Sequence, residues 1–156
     1  VFPHALTWLD AHEGCHPDVI VHLRPTSPFR TNNDIDQALQ LLADHPEADS
    51  VRSVSRPSQN PYKMWRIDQG VLVPLLDHET KEAYNQPRQT LPTTYWQNGC
   101  VDVIRLDTIL AKQSMTGQVI VPMIMNQPLQ CDLDRAIDFD IAEAMFRMFV
   151  HHSDQQ

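Results

Sequence analysis

Glycine is scarce in this chain of 156 residues: there are four, at positions 14, 70, 99 and 117. They form no Gly-x-Gly-x-x-Gly and no Walker-type loop, so the usual glycine-rich cradle for a triphosphate is not among these residues. Cysteine is sparse too. Cys15, Cys100 and Cys131 stand far apart without a Cys-x-x-Cys pair, which leaves neither a zinc framework nor an evident disulfide framework and makes a reducing, cytoplasmic setting the expectation. No apolar run approaches the ~20 residues a membrane span requires, so a transmembrane protein is not expected. Positive charge is in deficit, 12 Lys+Arg against 20 Asp+Glu for a net charge of −8. That balance argues against a bulk nucleic-acid binder, although a local cluster of cations can still hold phosphates. The start, Val1-Phe2-Pro3-His4, has neither an initiator Met nor a charged-then-apolar leader, and reads as the inside of a longer frame.

The composition, 42% hydrophobic and 21% charged, fits one acidic globular domain with enough chain to bury a core. Ala5 to His12 reads as a short helix. His12 and His16 stand at i, i+4 and can in principle share a metal, but nothing completes a recognised motif, and a solvated helix face fits better. The β-branched run Asp18 to Leu23 predicts a buried strand that ends at Arg24-Pro25-Thr26-Ser27-Pro28-Phe29-Arg30, where two prolines enforce a rigid loop. Ile35, Ala38, Leu39 and Leu42 then fall on one helical stripe, with N-caps available at Thr31, Asn32 and Asn33. A second strand follows over 48–55. Strand, helix and strand in this order predict a βαβ unit and a parallel sheet.

From Lys63 to Leu75 the pattern predicts a hairpin with a three-residue turn at Asp68-Gln69-Gly70, and 77–97 is polar and irregular, as an insertion would be. Cys100 to Leu106 reads as a returning strand, with Asp107 or Thr108 capping a short helix to Lys112. Gly117 to Met125 reads as another strand. Ile141, Met145, Met148 and Phe149 mark the inward stripe of a closing helix over 138–150.

Four pieces can carry chemistry. The 24–30 loop sets the hydroxyls of Thr26 and Ser27 between the guanidiniums of Arg24 and Arg30, which suits an anionic or polyhydroxyl ligand; a plain capped turn is the competing account. Asp132-Leu133-Asp134 puts two carboxylates at i, i+2, on one side of an extended segment, where a cation such as Mg²⁺ relieves their repulsion; alternatively Asp134 caps the last helix. Asn98-Gly99 offers an amide and a close backbone approach to a sugar, or simply a turn. Lys63, Arg66 and Arg88 can supply charge to phosphates, though scattered cations are more often solvated.

In order, Leu23-Arg24-Pro25-Thr26-Ser27-Pro28-Phe29-Arg30, Pro87-Arg88-Gln89, Asn98-Gly99 and Asp132-Leu133-Asp134 with Asp138 and Ala142-Glu143 resemble the acylneuraminate cytidylyltransferases, or CMP-sialic acid synthetases. The resemblance runs from about Asp18 to Phe149. It implies a Rossmann-like α/β domain, with a mostly parallel sheet, helices on both faces and a β-hairpin dimerisation insertion at about 61–97. It also implies transfer of CMP from CTP to an acidic nine-carbon (nonulosonic) sugar with release of pyrophosphate, Mg²⁺ as cofactor, and a homodimer. Carried over by position, Asp132 and Asp134 match the catalytic, metal-binding pair. Arg24, Pro25, Thr26 and Ser27 match sugar-contacting positions, Asn98 and Gly99 the sugar-side pair, and Lys63 and Arg88 cations near the phosphates or on the dimerisation arm. The sequence departs from the family pattern in two places. Nothing over 1–22 matches the Arg- and Lys-rich CTP loop, which predicts a single, N-terminally incomplete nucleotidyltransferase-like domain over 1–156 with weak or no turnover. Arg24 stands where many sialate enzymes carry Gln. A non-catalytic, dimerising sugar- or nucleotide-binding remnant is the alternative, and a purely structural interaction domain the third reading.

Overall fold

The computed structural model describes residues 2–126 and 131–153 of the chain, with side chains through residue 148. It divides into two compact units, one of residues 1–54 and 97–156, the other Ser55–Trp96. The elements are α1 (Phe2–Glu13), β1 (Val19–His22), α2 (Asn32–Asp44), β2 (Ser50–Ser55), β3 (Trp65–Asp68), β4 (Val71–Pro74), β5 (Trp96–Arg105), α3 (Leu106–Leu110), β6 (Ile120–Ile124) and α4 (Ala136–Ser153). No helix among the described residues is long and apolar enough to cross a membrane.

The larger unit is α/β, built on a four-stranded sheet of order β1-β5-β2-β6. Its strands are mixed in direction, which corrects the expectation of a mostly parallel sheet. β2 and β6 pair in parallel, Ser50 opposite Ile120, whereas β1 and β5 are antiparallel, Val19 opposite Arg105. β5 also runs against β2, since Arg105 N–H donates to Asp49 O at 3.1 Å while Val101 N–H donates to Ser53 Oγ at 2.8 Å. β1 and β2 therefore do point the same way, as a βαβ unit requires, but β5 lies between them. The physical reason is the excursion over 56–95. A chain that leaves one end of a sheet and rejoins it beside the strand it left runs back antiparallel, as in a long hairpin.

One sheet face is closed by α2. Ala38 and Leu42 pack with Val51, Val101, Val103 and Met123 in a fully buried cluster, as period two in the strands and period 3.6 in the helix dictate. Thr31 caps α2 in a reciprocal box: its hydroxyl accepts from Asp34 N–H, and the Asp34 carboxylate accepts from Thr31 N–H at 2.8 Å. At the other end Arg105 collects backbone carbonyls, donating to Ala48 O at 2.8 Å, Leu42 O at 2.9 Å and His45 O at 3.3 Å.

Asp49, just ahead of β2, pins the entry to β6. Its carboxylate accepts from Gln118 N–H at 2.8 Å and Val119 N–H at 3.2 Å and pairs with Lys112. The Lys112 hydrogen bond first, then the two amides, hold its pKa at about 2 against an ordinary 3.8. A depressed carboxyl contributes stability that is complete above its unfolded value and is lost as pH falls through the folded one. The urea midpoint is therefore expected to fall between about pH 4 and pH 2, less steeply in Asp49→Asn. Equal slopes for the two proteins would remove Asp49 from the account.

The last helix is turned from the expected stripe. Of its members Met145 is half-buried as expected, but Ile141 and Met148 are exposed and the side chain of Phe149 lies outside the described residues; Asp138 and Ala142 are buried instead. α3 has no side-chain cap: Arg105, not Asp107 or Thr108, precedes it. In the smaller unit β3 and β4 form the expected hairpin, Asp68 opposite Val71. Its turn is two residues, not three. Gln69 and Gly70 both have positive φ, 49° and 83°, the backbone that joins twisted strands most tightly.

Candidate functional site

The 24–30 loop leaves β1 and is tied to β5 by groups that sequence reading assigned to a ligand. Arg30 donates through Nε to Cys100 O at 2.6 Å and through Nη2 to Arg24 O at 2.8 Å, so its guanidinium is a clasp. Ser27 is buried, with its hydroxyl donating to Asn98 O at 3.3 Å. Pro25 and Pro28 are exposed and rigidify the corner. Two members of the loop keep their polar groups. Among the described residues no hydrogen bond engages the Thr26 hydroxyl or the Arg24 guanidinium, and the latter has only a loose 3.7 Å ion pair with Asp102.

Asn98 and Gly99 lie within β5 and not in a turn. Gly99 has φ +70°, a kink only glycine adopts cheaply, and a Cβ there would sit 3.0 Å from Arg24 Cδ and 3.5 Å from Ser27 Oγ. The close approach that this glycine permits is thus made by the loop's own side chains. Asn98 Oδ1 accepts from Ser53 Oγ at 2.6 Å and from Cys100 N–H at 3.1 Å, and its amide NH₂ donates to Met125 Sδ at 3.4 Å. These bonds clamp the kinked strand to its neighbours.

The Asp132-Leu133-Asp134 segment meets the loop from across more than a hundred residues of chain: Leu133 N–H donates to Thr26 O at 3.0 Å. Asp132 is half-buried and Asp134 exposed. Asp134 does not cap α4. Asp138 takes that task, its carboxylate reaching back to accept from Arg135 N–H at 2.7 Å and Asp134 N–H at 3.2 Å, and the Arg135 side chain holds its carboxyl below the usual range. Among the described residues the carboxylates of Asp132 and Asp134 accept no hydrogen bond and form no ion pair. No group of three or more His, Cys, Asp or Glu among those residues is placed to hold a metal. Asp132 and Asp134 are the residues here that could hold a divalent cation together with substrate phosphates and water.

Lys63 and Arg88 belong to the smaller unit. Lys63 Nζ donates to Tyr84 O at 3.3 Å, and Arg88 donates to Pro57 O. Arg88 also lines a cavity of about 490 Å³ with Arg56, Asn60, Gln89, Leu91 and Thr94.

Sequence reading missed the most buried charge cluster of the larger unit. Asp102, on β5, is engaged by both ends of Arg52, at 2.8 Å from Nε and 3.2 Å from Nη2, and Arg52 Nη1 donates to Gln97 Oε1 at 2.8 Å. Asp102 stood inside an apolar run that reads simply as a strand. The signal was its period, since the face of β5 that carries Asp102 alternates with the one that carries Val101 and Val103. Arg24, Arg52 and Asp102 border a cavity of about 710 Å³, which Thr26, Ser27, Asn98, Asp132 and Asp134 do not line.

No family model matches the chain. Over 134 residues it is 24% identical to a post-translational flagellin modification protein B of Campylobacter coli, an alignment covering 85% of this chain and 54% of the relative. Over 124 residues it is 27% identical to an N-acylneuraminate cytidylyltransferase of Escherichia coli O18:K1:H7 (strain RS218 / NMEC), covering 77% of this chain and 28% of that protein. The chain spans about half the length of the first and little more than a quarter of the second. Its distant relatives thus include a cytidylyltransferase, which supports nucleotidyl transfer as the coarse functional class.

Proposed function

We propose that this chain carries the sugar- and metal-binding part of a Rossmann-like, cytoplasmic, homodimeric cytidylyltransferase that transfers CMP from CTP to an acidic nine-carbon sugar. In that reaction a sugar hydroxyl oxygen attacks the α-phosphorus, the bond to the bridging oxygen breaks, pyrophosphate leaves, and the hydroxyl proton is lost. Such a step asks for neutralised charge and an oriented nucleophile more than for covalent chemistry by the protein.

One observation carries the reading. The segment with two unengaged carboxylates is hydrogen-bonded, through Leu133, to the loop that holds the unengaged Thr26 hydroxyl. Asp132 and Asp134 would hold Mg²⁺, which supplies positive charge to the phosphates when bound. Thr26 and Arg24 are placed to bind sugar hydroxyl or carboxylate groups. Ser27, Asn98 and Gly99 act on the sugar side by fixing that loop against β5. Lys63 and Arg88, on the second unit, are the cations assigned to the phosphates or to the dimerisation arm.

Calorimetric titration of CTP and CMP with and without Mg²⁺ tests the reading. Mg²⁺-dependent binding is expected, weakened at least tenfold (~1.4 kcal/mol) in Asp134→Ala. Affinity that is the same in a chelator, or unchanged in the variant, would sink the metal role. A second reading, a remnant that binds nucleotide or sugar without turnover, is favoured by the structural engagement of Arg30, Ser27 and Asn98. Mg²⁺-dependent binding without pyrophosphate release would select it.

A further inference from the structure

Arg24 keeps its donors although a buried carboxylate stands beside it, and the neighbouring strands supply the cause. His22 of β1 is the register partner of Asp102 on β5, and the chain then delivers Arg24 Nη2 to 3.7 Å from Asp102 Oδ2. From the other side β2 brings Arg52 to the same carboxylate. All of these residues belong to the larger unit.

We propose that Arg52 is a positioning residue: by occupying Asp102 it keeps the Arg24 guanidinium available for the carboxylate of the acidic sugar. The sugar in this statement rests on the transferase reading, whereas the control of Arg24 by Arg52 rests on the geometry alone.

Asp102 is nearly fully buried, so its charge must be paired. Arg52 does this with two hydrogen bonds, Nε to Oδ1 at 2.8 Å and Nη2 to Oδ2 at 3.2 Å, and its Nη1 is held by Gln97. Every nitrogen of Arg52 is thus engaged, and it is no ligand contact itself. Arg24 stops just beyond hydrogen-bond reach of the same Oδ2. An ionised carboxylate has lone pairs to spare, so acceptors are not what is lacking. Two guanidiniums converge on one oxygen, and their repulsion is weakly screened at a buried site. The Arg24 stem is fixed meanwhile against Gly99, where a Cβ would come 3.0 Å from Cδ and 3.3 Å from Nη1. Arg24 is therefore attracted by the pair without being consumed by it. Without Arg52, Asp102 has Arg24 alone to neutralise it, and the fork-to-carboxylate pair that forms spends the donors.

Phenylglyoxal modification of individual arginines, followed by peptide mass spectrometry, tests the proposal. The side chains of Arg24 and Arg52 are similarly exposed, 34% and 23%, so a difference in rate reports free donors more than access. In the native chain Arg24 is expected to react at least tenfold faster than Arg52. Arg52→Met should slow Arg24 at least tenfold, and adding Asp102→Asn to that variant should restore the rate, a rescue that a merely structural role for Arg52 does not produce. Calorimetry with N-acetylneuraminate and its methyl ester extends the test to the sugar: Arg52→Met should weaken the acid at least tenfold and leave the ester unchanged. The proposal is overturned if Arg24 reacts no faster than Arg52 in the native chain, a comparison that needs no variant, or if Arg52→Met leaves either the Arg24 rate or the affinity for the acid unchanged. A native chain that binds neither sugar would count against the acidic-sugar reading, while the Arg24 rates still decide whether Arg52 controls Arg24.

Discussion

Gly117→Ala is expected to be the most destabilising of the Gly→Ala changes in this chain. Gly117 has φ +70°, and a Cβ there would fall 2.3 Å from the Cβ and Oδ2 of Asp49 and 2.4 Å from its Cγ. The backbone strain alone costs about 1–2 kcal/mol, or a fall in Tm of ~2–8 °C for a domain of this size. The overlap adds to that, because Asp49 cannot retreat. Its carboxylate is held by Lys112, Gln118 and Val119, its N–H donates to Val119 O at 2.8 Å, and its carbonyl accepts from Arg105 N–H. Displacing it loosens the β2–β6 pairing where it starts. Gly14→Ala is the control, since Gly14 has φ +59° and nothing within 4 Å of an added Cβ. Thermal melts of both should show a clearly larger fall for Gly117→Ala; equal falls would mean that strain alone matters.

Arg105→Met is the second. The Arg105 guanidinium serves the carbonyls of Leu42, His45 and Ala48, the C-terminal end of α2 and the turn that follows. Charge-assisted hydrogen bonds contribute ~1.5–3 kcal/mol each, and a cation at a helix C-terminus adds a favourable dipole interaction. Water can replace part of this at a half-buried site, so a loss of about 2–4 kcal/mol is expected. Methionine keeps most of the apolar stem, which isolates the polar loss. Arg105→Lys should fall between, retaining the charge but not the fork. A midpoint of chemical denaturation for Arg105→Met within error of the native value would show that those carbonyls are satisfied without it.

Local pattern made much of the fold legible. The α2 helix, the β1 strand and the hairpin near Gly70 each depend on contacts within a few residues, and each forms, although Leu39 of the expected α2 stripe is exposed, β1 is half-buried where a buried strand was expected, and the turn is one residue shorter. What misled was partnership across the chain. Strand, helix and strand gave the shared direction of β1 and β2 but not the strand between them, because β5 returns after an excursion whose length says nothing of where it docks. The inward stripe of α4 was misread for a related reason: Asp138, a charged residue, faces inward because it caps the backbone of Asp134 and Arg135.

The candidate site divides in the same way. Residue types alone marked the proline corner and the paired aspartates, since prolines stiffen a loop and neighbouring carboxylates ask for a cation wherever they stand. Only the tertiary structure decided which of those groups are spent on holding the molecule together. Arg30, Ser27 and Asn98 are consumed by β5 and its neighbours, while Arg24, Thr26, Asp132 and Asp134 keep donors or acceptors to offer. A side chain's chemistry is written in its own atoms, but its availability is set by the atoms that fold against it.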